Sequence, residues 1–314
     1  MNIKYYFQDP IDRNLILDTF REAFGKEMEY AAFEWRFLNN PYNSKIYINY
    51  IIEDGVLASF YAVSPVNFFI NKKLYKMALS CMTMTHPKYQ GKGYFKLLAS
   101  ELYKKLEEDG FIAVFGFANQ NSHYGFRKNL CWIDISPLNF FSINDINYKL
   151  DKSIYKNYNY KELPLNIRQI EKTNYLNYSR KMIVPDRSID FLSWRLLNNP
   201  IYNYFALEVF KGEELIGIIY YKFYNNSIDI LEIFYKDINN YDALINGIRY
   251  LINKYNLKIN IWSNLHSEEH LILEKIGFKQ DQFLTYFGII PFNKNIDFIN
   301  MKNWHLRLID SDLF

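Results

Sequence analysis

Cysteine is nearly missing from this chain. Two residues in 314, Cys81 and Cys131, cannot build a disulfide framework, and both fall in apolar segments, which suits a reducing compartment. Long apolar runs are missing too: no stretch approaches the ~18 apolar residues of a membrane span, and the opening MNIKYYFQDP lacks the apolar core of a secretory leader. Nor is there an excess of either charge. The 37 Lys and Arg stand against 34 Asp and Glu, a formal net charge of +3, and no segment is basic enough to mark a nucleic-acid binder. These absences predict a soluble, cytoplasmic protein, monomer or homodimer, without nucleic-acid or membrane partners. Apolar mass is what the chain does have: 49% hydrophobic and 19% aromatic residues are ample for a packed interior. The length exceeds the usual size of one compact core, so two domains are expected.

One stretch organises the rest. Ala78–Leu98 reads ALSCMTMTHPKYQGKGYFKLL. Met82 and Met84 alternate with Thr83 and Thr85 as in a strand, His86-Pro87 turns, and Gln90-Gly91-Lys92-Gly93 leads into an amphipathic run with Phe95, Leu98, Leu102 and Leu106 apolar. A strand, a glycine turn and a helix form an anion-binding layout. The first N–H groups of a helix lack intrahelical partners and carry partial positive charge, and glycine lets the backbone wrap a phosphate closely. Lys92 would add a cation.

A Gln/Arg-x-x-Gly-x-Gly/Ala loop between strand and helix, with a proline shortly before it, resembles the acetyl-CoA segment of the GNAT-type N-acetyltransferase superfamily. Here the segment stands as Gln90-Gly91-Lys92-Gly93-Tyr94-Phe95, with Phe95 in place of the family's final small residue, which would narrow the space beside a pyrophosphate.

Taken in order, Asn2–Phe7 reads as a short strand, Ile11–Phe24 as an amphipathic helix and Tyr30–Leu38 as a second helix, stopped at Asn39-Asn40-Pro41. Ile46–Ile52 and Val56–Val63 flank the turn Glu53-Asp54-Gly55 as a hairpin. A strand from Leu74 enters the glycine segment, and Ile112–Phe117 is a continuous apolar run of the buried-strand kind. That order resembles a GNAT domain. The resemblance makes Asn119 and Asn121, where the sheet would splay, candidates for pantetheine hydrogen bonds, with Asn121-Ser122 equally readable as a helix cap. Ser122–Leu130 reads as the next helix. The family often carries there a Tyr that protonates the departing thiolate. Matching Phe126–Trp132 to the family's helix ending puts Arg127 at that position, so Tyr124, nearly one turn earlier, becomes the candidate acid, with His123 and Arg127 as lesser options.

Between Ser142 and Tyr175 periodicity weakens and a connector is expected. A repeat comes next: Phe33-Glu34-Trp35-Arg36-Phe37-Leu38-Asn39-Asn40-Pro41 returns as Leu192-Ser193-Trp194-Arg195-Leu196-Leu197-Asn198-Asn199-Pro200. The downstream hairpin, strand and helix order returns with it. Yet Tyr235–Tyr241, YKDINNY, carries no glycine loop. The resemblance therefore implies an α/β (α+β) fold of two tandem GNAT-like domains, each a mixed, mostly antiparallel central sheet flanked by helices. Residues 1–145 would bind acyl-CoA, 146–175 would connect, and 176–314 would be a degenerate copy serving as a wall of the substrate cleft or as a packing partner.

Other constellations are weaker. His266-Ser-Glu-Glu-His270 matches a zinc spelling without a third ligand, so no metal is expected. Cys131 beside Trp132 sits in an apolar setting unsuited to a nucleophile. Trp304–Ile309 reads as a last strand, and Asp310, Asp312 or the Phe314 carboxylate, candidate bases by position, are better read as frayed acids.

The resemblance implies an N-acyltransferase that moves an acetyl group from acetyl-CoA to a primary amine of a small molecule or sugar. Gln90, Gly91, Lys92, Gly93, Tyr94 and Phe95 would hold the pyrophosphate. Thr83, Met84 and Thr85 would line the pantetheine, with a backbone N–H near Thr85 meeting the oxyanion and Tyr124 the thiolate. An aminoacyl or long-acyl transferase of tandem type is one alternative. A non-catalytic CoA-binding or scaffold protein is another.

Overall fold

The computed structural model describes residues 2–144 and 157–311. In chain order its elements are β1 Lys4–Tyr5, α1 Arg13–Phe24, α2 Tyr30–Phe33 running into a π-turn at Glu34–Leu38, β2 Tyr47–Glu53, β3 Val56–Ile70, β4 Lys73–Thr85, α3 Tyr94–Glu108, β5 Ala113–Ala118, α4 Gln120–Leu130 and β6 Ile133–Ile143. Beyond these come β7 Tyr158–Pro164, α5 Ile167–Lys172, β8 Ile183–Pro185, α6 Ile189–Leu192 with a second π-turn at Ser193–Leu197, β9 Phe205–Lys211, β10 Glu214–Tyr224, β11 Ser227–Tyr235, α7 Asp242–Tyr255, β12 Lys258–Ile261, α8 Glu268–Lys275 and β13 Lys279–Pro291. Local chemistry sets many of these limits. The Asp12 side chain accepts from Asn14 N–H at the start of α1, and Gly25, at φ 66°, closes its last turn in the left-handed region where glycine is unstrained.

The chain forms two compact units, and neither is continuous in sequence. One runs to Ser136 and includes Tyr286–Ile299; the other is Pro137–Thr285 with the residues from Asn300. In the first, β1, β2, β3 and β4 pair antiparallel in that order, β5 joins β4 in parallel, and the Tyr286–Pro291 part of β13 pairs antiparallel with β5. In the second, β7, β9, β10 and β11 pair antiparallel, β12 joins β11 in parallel, and the end of β6 pairs antiparallel with β12. The two orders are the same. Each sixth strand comes from the segment that succeeds the other unit's last helix. Apolar faces bury helix against sheet in both: α3 lays Leu98, Leu102 and Leu106 on Tyr61 and Val114, while α7 lays Leu244, Ile248 and Leu251 on Leu207 and Ile219.

The repeated Trp-Arg-x-Leu-Asn-Asn-Pro segments end alike. In each a π-turn finishes the helix and the second Asn staples the next stretch of chain. Asn40 Nδ2 donates to Ser64 Oγ at 2.8 Å and Pro65 O at 2.9 Å while its Oδ1 accepts from Tyr42 N–H; Asn199 Oδ1 accepts from Ile201 N–H at 2.9 Å and its Nδ2 donates to Tyr204 Oη at 2.8 Å. Both are buried, so the echo is a structural joint.

Several expectations change. The first strand shrinks to two residues, and the helix over Tyr30–Leu38 becomes one α-turn and one π-turn. Of the expected connector 146–175, residues 157–175 hold β7 and α5, the opening strand and helix of the second unit, while 146–156 lie outside the described residues. Trp304–Ile309 forms a bridge at Trp304 and a 3₁₀ turn at Leu308–Asp310 rather than a strand. Cys131 is exposed, not apolar: it takes the left-handed end of α4 at φ 58°, a position that faces solvent.

Candidate functional site

Sequence dictates the loop between β4 and α3 closely. His86 caps the short turn Pro87–Tyr89 by accepting from Lys88 N–H at 3.2 Å. Gly91 and Gly93 then adopt φ of 77° and 78°, a region that costs any residue with a Cβ. A Cβ on either would meet nothing within 4 Å: backbone conformation demands glycine here, not crowding. Among the described residues, none of the N–H groups from Gly91 to Lys96 donates to the chain, and the first closed bond is Leu97 N–H to Gly93 O at 3.1 Å. A run of unpaired donors at the start of a 15-residue helix is a cradle for a negatively charged oxygen.

Lys92 does not face that cradle as a free cation. Its Nζ bonds Glu53 Oε1 at 2.7 Å across to β2, and Tyr94 donates to the other Glu53 oxygen. The hydrogen bond from Lys92 holds the Glu53 carboxyl below its ordinary range, and that same bond raises Lys92. This pairing ties the loop to the edge of β2. Gln90 and Lys92 are exposed and Tyr94 is buried. Phe95 turns inward, its ring 5.9 Å from Tyr61 and 5.4 Å from Phe126. It packs against Gly125, where a Cβ would come within 3.6 Å of it. The large residue therefore occupies the seam between α3 and α4 and does not lie on the loop backbone.

Beside the loop the sheet opens. β4 and β5 pair only at Ala78 with Val114 and Leu79 with Phe115, although β4 continues to Thr85 and β5 to Ala118. Met82, at φ 52°, breaks the β3–β4 register between Cys81 and Met84, so that Met82 and Thr83 together oppose Tyr61. This bulge releases two residues from the ladder on the strand that borders the gap. Thr83 Oγ1 is buried there with no partner. Thr85, by contrast, remains in the ladder opposite Ser59, whose Oγ lies 3.0 Å from Thr85 Oγ1. Because His86 N–H donates to Ala58 O at 3.0 Å, Thr85 and Ser59 form a non-hydrogen-bonded pair and the Thr85 N–H points away from β3.

At the start of α4, Asn119 is the cap, not Asn121-Ser122: its Oδ1 accepts from Asn121 and Ser122 N–H at 3.0 Å each, which leaves only its amide nitrogen for a ligand. Asn121 is exposed. Tyr124 is 71% exposed, on the face of α4 opposite buried Phe126. His123 and Arg127 share a partner that sequence reading missed: Asp134 accepts from Arg127 Nε at 3.1 Å and lies 3.0 Å from His123 Nε2, while the His123 ring stacks on Tyr286 at 3.7 Å. The local register from α4 into β6 carries that signal.

The second unit repeats the opening and fills it. β11 and β12 pair from Ser227 with Lys258 to Ile230 with Ile261, and β11 then continues to Tyr235 beside β10 without β12. Arg307 reaches Trp262 O at 2.7 Å just past β12 and lies 3.4 Å from Glu232 on β11. Glu232 also takes Arg187 Nε at 2.8 Å and lies 3.2 Å from His305 Nε2, and Asp310 takes Arg187 at 2.9 Å. Arg195 donates to Ile309 O and Ser311 O. Asp310 is therefore a buried ion-pair partner and not a frayed acid; Asp312 and the Phe314 carboxylate lie outside the described residues. His270 stacks on Phe141 at 4.4 Å and lies 3.5 Å from Glu274. Among the described residues no group of three metal-ligating side chains converges.

A glycine-lined helix start beside a bulged, splayed strand pair is an anion-binding layout on an α/β fold. Residues 9–130 match the acetyltransferase (GNAT) domain family, so this part of the chain is an acyltransferase-type domain. Solved structures that share the fold include these three. A conserved protein of Enterococcus faecalis V583, a probable N-acyltransferase, is 15% identical with a TM-score of 0.69 over 92% of this chain and 72% of that one. A GCN5-related N-acetyltransferase from Anabaena variabilis is 12% identical at 0.65, covering 93% and 73%. N-myristoyltransferase of Saccharomyces cerevisiae with bound myristoyl-CoA is 12% identical at 0.61, covering 96% and 83%. By sequence the chain matches no curated protein.

Proposed function

We propose that the first unit binds acetyl-CoA and that the protein transfers the acetyl group to a primary amine of a small molecule or sugar. The unpaired donors from Gly91 to Lys96 are the observation that carries this reading. They suit a pyrophosphate, with Gln90 at the rim. When bound, the thioester supplies an activated carbonyl and a thiol leaving group. Thr83 and Met84 would line its pantetheine arm, with Thr83 Oγ1 as a donor to an amide carbonyl, and Asn119 and Asn121 would border the far side. The bulge at Met82 and Thr83 would turn backbone N–H toward the carbonyl oxygen, where preorganised donors act most strongly. Orientation of amine against thioester supplies much of the rate in such a site. Acyl-CoA as donor makes the cytoplasm the expected compartment, and no described helix is long and apolar enough to cross a membrane.

The second unit, in this reading, is a degenerate copy that holds no CoA, because Arg307 and Glu232 occupy its opening and no glycine loop precedes α7. Similarity to a myristoyl-CoA enzyme makes a longer acyl chain the second reading.

Calorimetric titration tests both. Acetyl-CoA should bind wild type at one equivalent and fail to bind Gly93→Asp, which sets a carboxylate among the donors. Gly93→Asn carries the same backbone strain without the charge and should retain more affinity. Preference for myristoyl-CoA over acetyl-CoA would replace the acetyl reading, and wild type that binds neither would end it.

A further inference from the structure

We propose that Ser80 donates a hydrogen bond to the sulfur of CoA, through a proton that a buried chain of donors aims out of the core. This rests on the CoA reading of the first unit and adds a residue outside the loop and bulge.

Four buried side chains stand in line. Trp132 Nε1 lies 3.0 Å from Tyr103 Oη, Tyr103 Oη lies 2.6 Å from Tyr61 Oη, and Tyr61 Oη lies 2.8 Å from Ser80 Oγ. Distances alone leave each hydroxyl free to point either way, but the tryptophan does not. An indole N–H only donates, so the Tyr103 oxygen accepts from it. Were Tyr61 also to donate to Tyr103, the Tyr103 proton would be buried without an acceptor, an expensive loss. Tyr103 therefore donates to Tyr61, and by the same reasoning Tyr61 donates to Ser80. Burial raises both tyrosines above their ordinary range, which keeps them protonated and donating. Each proton is accounted for except the last: among the described residues the Ser80 hydroxyl proton has no acceptor in the chain.

Its position says what it serves. Leu79 is the last residue of β4 paired with β5, so Ser80 is the first beyond the pairing, at the apex of the opening and two residues before the bulge at Met82. An arm anchored by its phosphates on Gly91–Lys96 and laid along β4 toward that apex brings its reactive end to Ser80. Trp132 is held over the same apex by two glycines: a Cβ on Gly116 or on Gly288 would come within 3.1 Å of the indole. The chain's origin and its outlet are thus fixed by packing. Sulfur is a poor acceptor in a thioester and a good one as thiolate, so the bond strengthens as charge leaves on sulfur, where it lowers a barrier. Ser80 keeps its own proton. The C–N bond forms as C–S breaks, the electron pair goes to sulfur, and the proton shed by the amine ends on the thiol.

The test uses CoA itself and needs no acceptor. Ultraviolet titration of the bound thiol should give a lower pKa in wild type than in Ser80→Ala, by about one unit, the scale of one hydrogen bond to a charged acceptor, while calorimetry shows both binding CoA. Tyr103→Phe removes the donor that fixes the direction of Tyr61, lets Ser80 donate to Tyr61 instead, and should raise the bound thiol's pKa toward that of Ser80→Ala while calorimetry still shows CoA bound. Equal thiol titration in wild type and Ser80→Ala, with both binding, would overturn the Ser80 assignment and leave the CoA reading standing. Unchanged thiol titration in Tyr103→Phe, beside a rise in Ser80→Ala, would overturn the aiming role of the chain. Wild type that binds no CoA would overturn the CoA reading instead.

Discussion

At the residue scale, the structure separates side chains that share a helix in sequence but not a face in space. Tyr124 and Phe126 are two residues apart on α4, and 3.6 residues per turn sets them on nearly opposite sides. Phe126 is buried against Phe95 and Trp132 at 5.4 and 4.5 Å, and Tyr124 is exposed. We expect Tyr124→Phe to change turnover by less than about threefold, well short of the ~10²-fold or more of a positioned acid; steady-state kinetics with an accepted amine would check it. Lys92 teaches the same point. A lysine inside a glycine loop reads as a phosphate cation, but the Glu53 carboxylate on the neighbouring strand has claimed it, and only the β2–β3 hairpin register brings the two together.

At the element scale, close approach of strands to one indole governs the first unit's core. Gly116 on β5 and Gly288 on β13 sit under Trp132 with no room for a methyl group: a Cβ on Gly116 would lie 3.1 Å from the ring and 3.3 Å from Ser80 O. Gly116→Ala should destabilise by about 1–3 kcal/mol through overpacking, read by chemical denaturation. Trp132→Phe in that background should recover part of the loss, because it removes the obstructing ring. Nothing in the run Ile112–Phe117 marks Gly116 as special, since the residue it accommodates arrives from the turn after α4.

At the scale of the whole molecule, acid stability turns on the second unit's buried charges. Burial alone would raise the Glu232 carboxyl, but His305, Arg187 and Arg307 outweigh it and hold it far below the carboxylate range. A carboxyl lowered on folding contributes stability that is present above its unfolded value, 4.5, and is lost as pH falls from there toward the folded value. Melting temperature should therefore drop steeply below about pH 4.5. Glu232→Gln should lose about 3–5 kcal/mol at neutral pH, having left Arg187 and Arg307 without their shared partner, and its melting temperature should fall less steeply with acid.

Near-neighbour patterns were enough to read the elements and the loop. Period-2 and period-3.6 apolar spacings act within a few residues, so β2 through α4 were legible, and so was the demand for glycine at residues 91 and 93, which arises in the backbone of those residues alone. The echoed Trp-Arg-x-Leu-Asn-Asn-Pro segment also announced a second set of elements in the same order. Packing settled whatever depends on partners distant in sequence. It took the last strand of each sheet from the stretch of chain that follows the other unit's last helix, a choice the pattern cannot make because two like strands satisfy either edge. It buried Asp310, which reads as a loose terminal acid until Arg187 meets it. And it aligned Trp132, Tyr103, Tyr61 and Ser80, four residues from separate elements whose hydrogen bonds exist only once helix, turn and strands pack around one core.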